Sequence, residues 1–220
     1  MNLDEHNLNI PGWMSETDLT ILKTLASYVP SGANILEIGC FVGRSTYALC
    51  TGKKSSVRLS VVDTFEVNET YKSILDETMS GDADLINDIV DIAKNENSWE
   101  NAFKHCLPQS ILDQIEINVS SSYDYVLPEN FNDEGHFNMT FIDANHSMEH
   151  VLHDIKKYAG RHTLLVGDDF NPKKLGVATA LASTREILPR KLIMPAGSKI
   201  WIMVPNGGYW HRLFNAKVIF

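Results

Sequence analysis

The chain has 220 residues, a formal net charge of -9 and three cysteines. This length suits one α/β domain, 1–220, with a core large enough to fold alone. An acidic chain offers no basic face, which argues against nucleic acid as a partner or substrate. The scattered cysteines form no Cys-x-x-Cys pair and indicate a reducing compartment. The polar N-terminus shows no signal-peptide pattern and no apolar run could cross a bilayer, so we expect a cytoplasmic protein without a membrane partner.

The first thirty residues are predicted to form an N-terminal arm followed by a helix. Pro11-Gly12 breaks the arm, and Ser15 begins the helix with Asp18 as its partner in a variant of the capping box. Pro30-Ser-Gly32 then ends the helix and leads into the first strand.

A glycine turn follows the first strand. In Asn34-Ile-Leu-Glu-Ile-Gly-Cys-Phe-Val-Gly-Arg-Ser-Thr46, an apolar run meets Gly39, a second glycine follows at Gly43, and an amphipathic run begins at Ser45. This pattern predicts a strand, a tight turn and a helix, whose N-terminus could face a polar or anionic ligand. A turn of this kind is also common in α/β domains without any ligand.

The second apolar run, Val57–Val62, ends at Asp63. An acid at this distance after the glycine turn is well placed to accept both hydroxyl groups of a ribose. Together, the turn and Asp63 predict a cofactor of the nucleoside type.

The acidic segment 66–97 is longer than the usual connection between strands. Its apolar residues have helical spacing, and a further helix is expected from Ser98 to Leu107. Segment 66–97 is therefore a helical insertion that forms either a lid over the cofactor or extra helices packed on the sheet.

The next three strands are predicted at Ile115–Ser120, Phe137–Ile142 and His162–Val166, and helices at Ser147–Ala159 and Leu175–Leu188. The serine run after the third strand could contact an adenine or cap a following helix. Lys191–Met194 and Lys199–Val204 are joined by only four residues, so they must form an antiparallel hairpin. The aromatic tail, 207–220, could cover the sheet or contact a second subunit.

Three aspartates follow the fourth and fifth strands. Asp143 ends one strand and Asp168-Asp169 ends the next, so their carboxylates should lie close together at the ligand-binding edge of the sheet. A divalent cation would relieve their repulsion, and oxygen ligands favour Mg²⁺. Alternatively, Asp169 caps the next helix and Asp168 is solvated. His146 could act as a base at this edge or be a surface histidine.

Two other functions are compatible with parts of this pattern. His146-Ser-Met-Glu-His150 matches the motif of inverted zinc peptidases, although here it opens a crossover helix. A nicotinamide-dependent oxidoreductase would share the sheet, but it would normally have a tighter glycine turn and no terminal hairpin.

The sequence resembles the class I S-adenosylmethionine-dependent methyltransferases, and among them the cation-dependent O-methyltransferases related to macrocin O-methyltransferase and the cephalosporin-hydroxylase-like enzymes. The resemblance covers roughly 11–205. It rests on Ile35–Thr46, on Val62–Phe65, on Phe141-Ile-Asp-Ala-Asn-His-Ser-Met-Glu-His150 and on Gly167-Asp-Asp-Phe170. It departs from the family pattern in the acidic insertion and in the serine run, where such enzymes often place an acid.

This resemblance implies a Rossmann-like α/β fold with a mostly parallel seven-stranded sheet, an antiparallel final strand and helices on both faces. It implies Glu37, Gly39 and Gly43 around the methionyl part of the cofactor and Asp63 on the ribose. It also implies a metal site of Asp143, Asp168 and Asp169, with His146 as general base. We predict Asp143 as a second catalytic residue. The cofactor contacts that we predict are Glu37, Gly39, Cys40, Phe41, Gly43, Ser45, Asp63, Thr64, Ser121, Ser122 and Asp143.

We therefore expect an O-methyltransferase that uses S-adenosylmethionine and Mg²⁺, or another hard divalent cation. Its expected substrate is a small hydroxylated molecule such as a sugar or a sugar-bearing metabolite. A protein that binds S-adenosylmethionine without catalysis is an alternative, and a homo-oligomer is compatible with the aromatic tail.

Overall fold

The computed structural model describes residues 3–66, 80–127, 139–171, 175–185 and 187–217. Within these ranges a seven-stranded sheet carries helices on both faces. Its strands are β1 Asn34–Ile38, β2 Arg58–Asp63, β3 Ile115–Val119, β4 Met139–Ile142, β5 Leu164–Gly167, β6 Lys191–Ile193 and β7 Trp201–Val204. The helices are α1 Glu5–Asn9, α2 Glu16–Tyr28, α3 Arg44–Gly52, α4 Ala83–Glu96, α5 Glu100–Cys106, α6 Gln109–Leu112, α7 Met148–Tyr158, α8 Leu175–Thr184 and α9 Gly208–Asn215.

The strand order is β3-β2-β1-β4-β5-β7-β6. The pairs among β3, β2, β1, β4 and β5 are parallel, whereas β7 is antiparallel to both β5 and β6. The predicted hairpin is thus confirmed, and so is the Rossmann-like sheet with an antiparallel final strand. Because β7 runs against its neighbours, it begins at the edge where the parallel strands end.

Two apolar clusters hold the helices against the sheet. On one face, α2, α3 and α9 pack on a cluster that includes Leu22, Leu49 and Trp210. On the other face, α7 and α8 pack on a cluster that includes Ile155 and Leu181. The strands supply both clusters because alternate residues point to opposite faces.

The first elements match their predictions closely. Ser15 Oγ accepts a hydrogen bond from the Asp18 N–H at 3.2 Å, and the Asp18 carboxylate accepts one from the Ser15 N–H at 3.0 Å, which forms the predicted capping box. The arm differs from its prediction because it contains α1, whose first turn is capped by Asp4.

Arg44, at the start of α3, holds the arm in place. Its guanidinium donates to the carbonyl groups of Leu8 at 2.8 Å and Met14 at 3.2 Å, and also to that of Ile10. An Arg that bonds several carbonyl groups fixes the path of a chain segment that has little regular structure of its own.

Several predicted boundaries shift by a few residues, as terminal turns often do. The helix expected to reach Leu188 ends at Thr184, and the helix expected from Ser98 begins at Glu100. In the insertion, α4 buries Ile89 and Ala93 in the main core. Residues 67–79 of the proposed lid lie outside the described residues, so the lid remains a prediction. None of the helices in the described ranges is long and apolar enough to cross a membrane.

Candidate active site

Four parallel strands end level with one another at one edge of the sheet. The pairing aligns Ile38 of β1 with Val62 of β2 and with Ile142 of β4, and it aligns Ile142 with Gly167 of β5. Ligands of open α/β sheets bind beyond this edge. The next residue along each of these strands is Gly39, Asp63, Asp143 or Asp168.

Gly39 brings the first turn into close contact with the fourth strand. Its φ is +83°, and a Cβ at this position would lie 2.3 Å from the carbonyl oxygen of Asp143. Only glycine fits both the backbone conformation and the space. The turn closes with a hydrogen bond of 2.8 Å from the Gly43 N–H to the Cys40 carbonyl, and α3 begins directly after it.

Asp63 fixes the conformation of this glycine turn. One carboxylate oxygen accepts the N–H groups of Cys40 at 2.8 Å and Phe41 at 3.1 Å, and the other accepts the N–H of Phe65 at 2.8 Å. A carboxylate has about four acceptor positions. The predicted contact with a ribose therefore remains compatible with a second, structural role that the sequence did not reveal.

Glu37 is fully buried beneath the turn. Ser45 Oγ donates to one of its carboxylate oxygens at 2.5 Å, and Thr46 Oγ1 donates to the other at 2.7 Å. Burial raises the pKa of Glu37 from its ordinary value of 4.5 to about 8, although the two hydroxyl donors oppose this change. Glu37 therefore links β1 to the first turn of α3.

His146 lies between two of the three predicted metal ligands. Its Nε2 is 3.3 Å from Asp143 Oδ1, and its Nδ1 is 2.8 Å from Asp169 Oδ2. Burial alone would lower the pKa of His146, but hydrogen bonds and charge from both aspartates outweigh it and raise the pKa to about 10. At neutral pH the imidazole is therefore protonated and donates to both carboxylates.

Lys199 is a member of this cluster that the sequence reasoning missed. Its Nζ lies 3.2 Å from Asp168 Oδ2 and 3.1 Å from Asp169 Oδ1. Burial opposes its charge, yet the two carboxylates raise the pKa of Lys199 above its usual range. The signal was present in the sequence, because Lys199 was predicted to begin an antiparallel strand, and such a strand starts at the edge where the parallel strands end.

Asp168 and Asp169 are both largely buried, with side chains 4% and 7% exposed. The alternative that Asp168 is solvated is therefore wrong. Burial and the charge of Asp143 raise the pKa of Asp168, and Lys199 offsets part of this effect. Asp169 adopts a left-handed φ of +59°, which turns its carboxylate toward Lys199 and His146. Residues 172–174, directly before α8, lie outside the described residues, so the alternative that Asp169 caps this helix is not tested.

These acids were predicted to hold Mg²⁺, and they do meet. In this arrangement, however, their oxygens bind Lys199 and His146. Across the described ranges, no group of three His, Cys, Asp or Glu side chains is placed to hold a metal ion. An ammonium already bound to two of the carboxylates would also repel a dication. The side chains as arranged therefore do not fit the predicted metal site.

Three further residues that were predicted to contact the cofactor, Cys40, Phe41 and Thr64, lie in the glycine turn or directly after Asp63. Cys40 is buried, and Phe41 packs between Trp13 and Trp99, with ring centroids 5.4 and 4.9 Å apart. Thr64 is exposed beside Asp63.

The serine run forms a turn and not a helix cap. Ser121 Oγ accepts the Asp124 N–H at 3.1 Å, and the Ser122 carbonyl accepts bonds from the side chains of Lys157 and Tyr158. The hydroxyl of Ser121 also bonds the Asp124 carboxylate, at 2.6 Å. Contact of Ser121 and Ser122 with an adenine remains a prediction.

The resemblance to a zinc peptidase motif is not realised in the structure. His146 precedes Ser147, which is the N-cap of α7, so His146 and His150 are not one turn apart on a helix. His150 instead forms a hydrogen bond of 2.8 Å with the Ser147 hydroxyl.

Comparisons with known proteins agree with this geometry. Residues 36–170, more than half of the chain, match a family described as a methyltransferase domain. No match to the sequence was found among curated proteins. The matched region contains the glycine turn, Asp63 and the three aspartates of the cluster.

Several solved structures share the fold at low sequence identity. A protein from Corynebacterium glutamicum is 12% identical with a TM-score of 0.61, over 95% of this chain and 93% of that chain. An O-methyltransferase from Bacillus cereus in complex with SAH is 20% identical with a TM-score of 0.51, over 89% and 84%. The O-methyltransferase TomG from Streptomyces achromogenes is 16% identical with a TM-score of 0.51, over 87% and 81%.

Proposed function

Because the chain belongs to the family of methyltransferase domains, we propose that it transfers a methyl group from S-adenosylmethionine to a hydroxyl group of a small molecule. The choice of donor and of an oxygen acceptor is supported by two neighbours of the same fold. One is described as an O-methyltransferase in complex with SAH, and the other as an O-methyltransferase in complex with SAM that is involved in tomaymycin synthesis.

One observation carries this proposal. The glycine turn, where the donor would bind, packs directly on the backbone of Asp143, and the side chain of Asp143 belongs to the acid cluster. The donor site and a polar acceptor site are therefore adjacent at one edge of the sheet. Methyl transfer requires this adjacency, because the acceptor oxygen must approach the methyl carbon in line with the leaving sulfur.

The reaction is a direct displacement. The acceptor oxygen forms a bond to the methyl carbon while the bond from that carbon to sulfur breaks, and its electron pair stays on sulfur. The sulfonium becomes the neutral thioether of S-adenosylhomocysteine, and the hydroxyl proton leaves to a base. Since the donor is already activated, the protein must mainly orient the two reactants and accept this proton.

His146 is our proposed base, with Asp143 as its partner. The imidazole must first release to solvent the proton that it holds at neutral pH, which its 36% side-chain exposure permits. The role of His146 as base therefore implies a rate that rises with pH. If Asp143 accepts the proton directly, the rate would not follow the titration of His146.

The acid cluster also favours a hydroxylated acceptor. Asp168 Oδ1 is buried and has no hydrogen-bond partner among the residues that the structure describes. A buried acceptor atom without a donor is unfavourable by about 1–3 kcal/mol, so a ligand that donates a hydrogen bond would gain from binding here. Sugars present many such donors, and a sugar or sugar-bearing metabolite is our proposed substrate class.

Mg²⁺ remains a prediction from the sequence, and no step of this mechanism uses it. The nicotinamide alternative is disfavoured by the family match and by the antiparallel β7. A protein that only binds S-adenosylmethionine would not need the arrangement of His146 between two carboxylates, which supports catalysis over binding alone.

Two measurements test the proposal. Isothermal titration calorimetry should show binding of S-adenosylmethionine and S-adenosylhomocysteine. Transfer from radiolabelled S-adenosylmethionine to a panel of glycosides and other alcohols should give a product whose new methyl group has the NMR shifts of a methyl ether. If neither compound binds, or if the methyl group is found on nitrogen or carbon, the proposal is wrong.

Asp169→Asn tests whether turnover needs the charge of Asp169. Asn has nearly the same shape as Asp and tolerates the left-handed backbone of this position. We expect its turnover to fall by at least about a hundredfold while the affinity for S-adenosylhomocysteine changes little. Asp113→Asn, at an exposed position beyond α6, is the control and should leave both properties unchanged.

A further inference from the structure

Lys199 lies against the two largely buried acids of the cluster formed by Asp143, Asp168 and Asp169. Its Nζ contacts both Asp168 and Asp169, at 3.2 and 3.1 Å. The His146 ring contacts Asp143 and Asp169 on the other side of the cluster. The ammonium of Lys199 therefore offsets part of the charge of the three carboxylates, which is the task that a bound metal performs in an all-acid site.

The backbone of Lys199 is fixed on both sides. Its N–H donates to Asp18 Oδ1 at 3.1 Å, and its carbonyl accepts the N–H of Phe170 at 2.9 Å. Asp18 is 1% exposed and also accepts a bond of 2.5 Å from the Ser198 hydroxyl. The same carboxylate thus caps α2 and holds the residue from which the ammonium group extends.

The strand that follows Lys199 is fixed as well. The ring of Trp201 occupies the space where a side chain on Gly167 would lie, with a closest approach of 2.1 Å to the Cβ position. Trp201 Nε1 also donates to the Asp168 carbonyl at 3.1 Å. The start of β7 therefore cannot move relative to Asp168 without breaking several contacts. The backbone on both sides of the ion pairs is fixed by packing and hydrogen bonds, so the fold itself holds Lys199 beside Asp168 and Asp169.

We propose that Lys199 is a positioning residue that serves as the built-in counter-charge of the acid cluster, so that this chain transfers methyl groups without a divalent cation. The proposal rests on the proposed function for its catalytic part. Its structural part states that the ammonium of Lys199 takes the place of a metal ion beside the three aspartates. This part does not depend on the proposed function. The ammonium holds Asp168 and Asp169 in place, and Asp168 Oδ1 is left to bind a donor from the substrate.

The structural part is tested by metal binding. The full chain is freed of metal with EDTA, and Mn²⁺ binding is followed by electron paramagnetic resonance. We expect Mn²⁺ binding to the native protein not to saturate up to millimolar concentration. Lys199→Met should saturate within this range, with an apparent affinity for Mn²⁺ at least about tenfold above the native limit, and Lys199→Met combined with Asp168→Asn should lose this site again. Lys191→Met, at an exposed lysine on β6, is the control and should bind no Mn²⁺.

The catalytic part is tested with EDTA present. The native protein should retain its full rate of methyl transfer, and Lys199→Arg, which keeps the charge, should retain most of it. Lys199→Met should lose most of the rate in EDTA, mainly through kcat, and recover part of it when Mg²⁺ is added. Circular dichroism verifies folding, and Lys199→Gln replaces Lys199→Met if the latter does not fold.

The outcomes separate the two proposals. Failure of S-adenosylhomocysteine to bind would overturn the proposed function but leave the Mn²⁺ result to decide the role of Lys199. A native protein that binds Mn²⁺ through Asp168, or that loses its rate in EDTA, would overturn the role of Lys199. A folded Lys199→Met or Lys199→Gln variant with no gain in Mn²⁺ binding would overturn it as well.

Discussion

The buried carboxyl group of Glu37 makes the stability of the fold depend on pH. In the native state its pKa is about 8, compared with an ordinary value of 4.5, because it is fully buried. Below about pH 4.5 the group is protonated in both the native and the unfolded state. Between the two pKa values only the unfolded chain releases the proton, so the free energy of unfolding falls as pH rises and levels off above about pH 8.

The size of this effect follows from the two pKa values. The difference between 4.5 and about 8 corresponds to roughly 5 kcal/mol in the free energy of unfolding. Glu37→Gln keeps the shape of the protonated side chain and can still bond the hydroxyl groups of Ser45 and Thr46, but it cannot ionise. This variant should therefore match the native protein near pH 5 and become more stable than it by up to that amount near pH 8.

Urea unfolding followed by far-UV circular dichroism measures the effect. Comparing the native protein with Glu37→Gln at each pH cancels the other titrating groups, since both proteins contain them. Glu116→Gln, at an exposed position on β3, is the control. Its free energy of unfolding should change with pH in the same way as that of the native protein. A constant difference between native protein and Glu37→Gln from about pH 5 to pH 8.5 would refute the reasoning, because it would show that burial does not raise the pKa of Glu37.

Three further predictions concern the site. Gly39→Ala should destabilise the fold by several kcal/mol more than Gly32→Ala. Both glycines have similar positive φ values, but only a Cβ at Gly39 would clash, with the Asp143 carbonyl. Thermal unfolding measures the difference, and an equal loss of stability in the two variants would contradict the prediction. Asp63→Asn should weaken S-adenosylhomocysteine binding by about tenfold, measured by calorimetry, since it removes an acceptor from the glycine turn; unchanged affinity would exclude this role. The rate of methyl transfer should rise with pH toward the pKa of His146, about 10, because only the neutral imidazole accepts a proton; a rate that is level from neutral to alkaline pH would assign the base to Asp143.

Much of the architecture could be predicted because it depends on local patterns. Alternating or continuous apolar runs placed the strands, and the four-residue link between the last two required them to be antiparallel. The capping box at Ser15 and Asp18 was also readable, because both partners lie within one helical turn. Convergence of Asp143 with Asp168 and Asp169 followed from the rule that parallel strands end at one edge.

The contacts that complete the site could not be predicted in the same way. The bond from Asp18 to the Lys199 N–H joins residues 181 positions apart, and no local pattern indicates it. Nor does the sequence show that Asp63 would bond the N–H groups of the glycine turn, because this depends on the direction of a side chain. The sequence predicted which acids would meet and placed His146 at the same edge, but it did not indicate that Lys199 would meet them.

The hydrogen bond between Asp18 and Lys199 also has a consequence for biosynthesis. The ribosome makes the three acids of the cluster before it makes the lysine that balances their charge, and β7 must then enter between β5 and β6. A nascent or truncated chain that ends before Lys199 holds mutually repelling carboxylates and an N-terminal helix whose capping residue lacks its distant partner. The acid cluster is therefore completed only after Lys199 has been synthesised, and its assembly joins segments that lie 181 positions apart in the sequence.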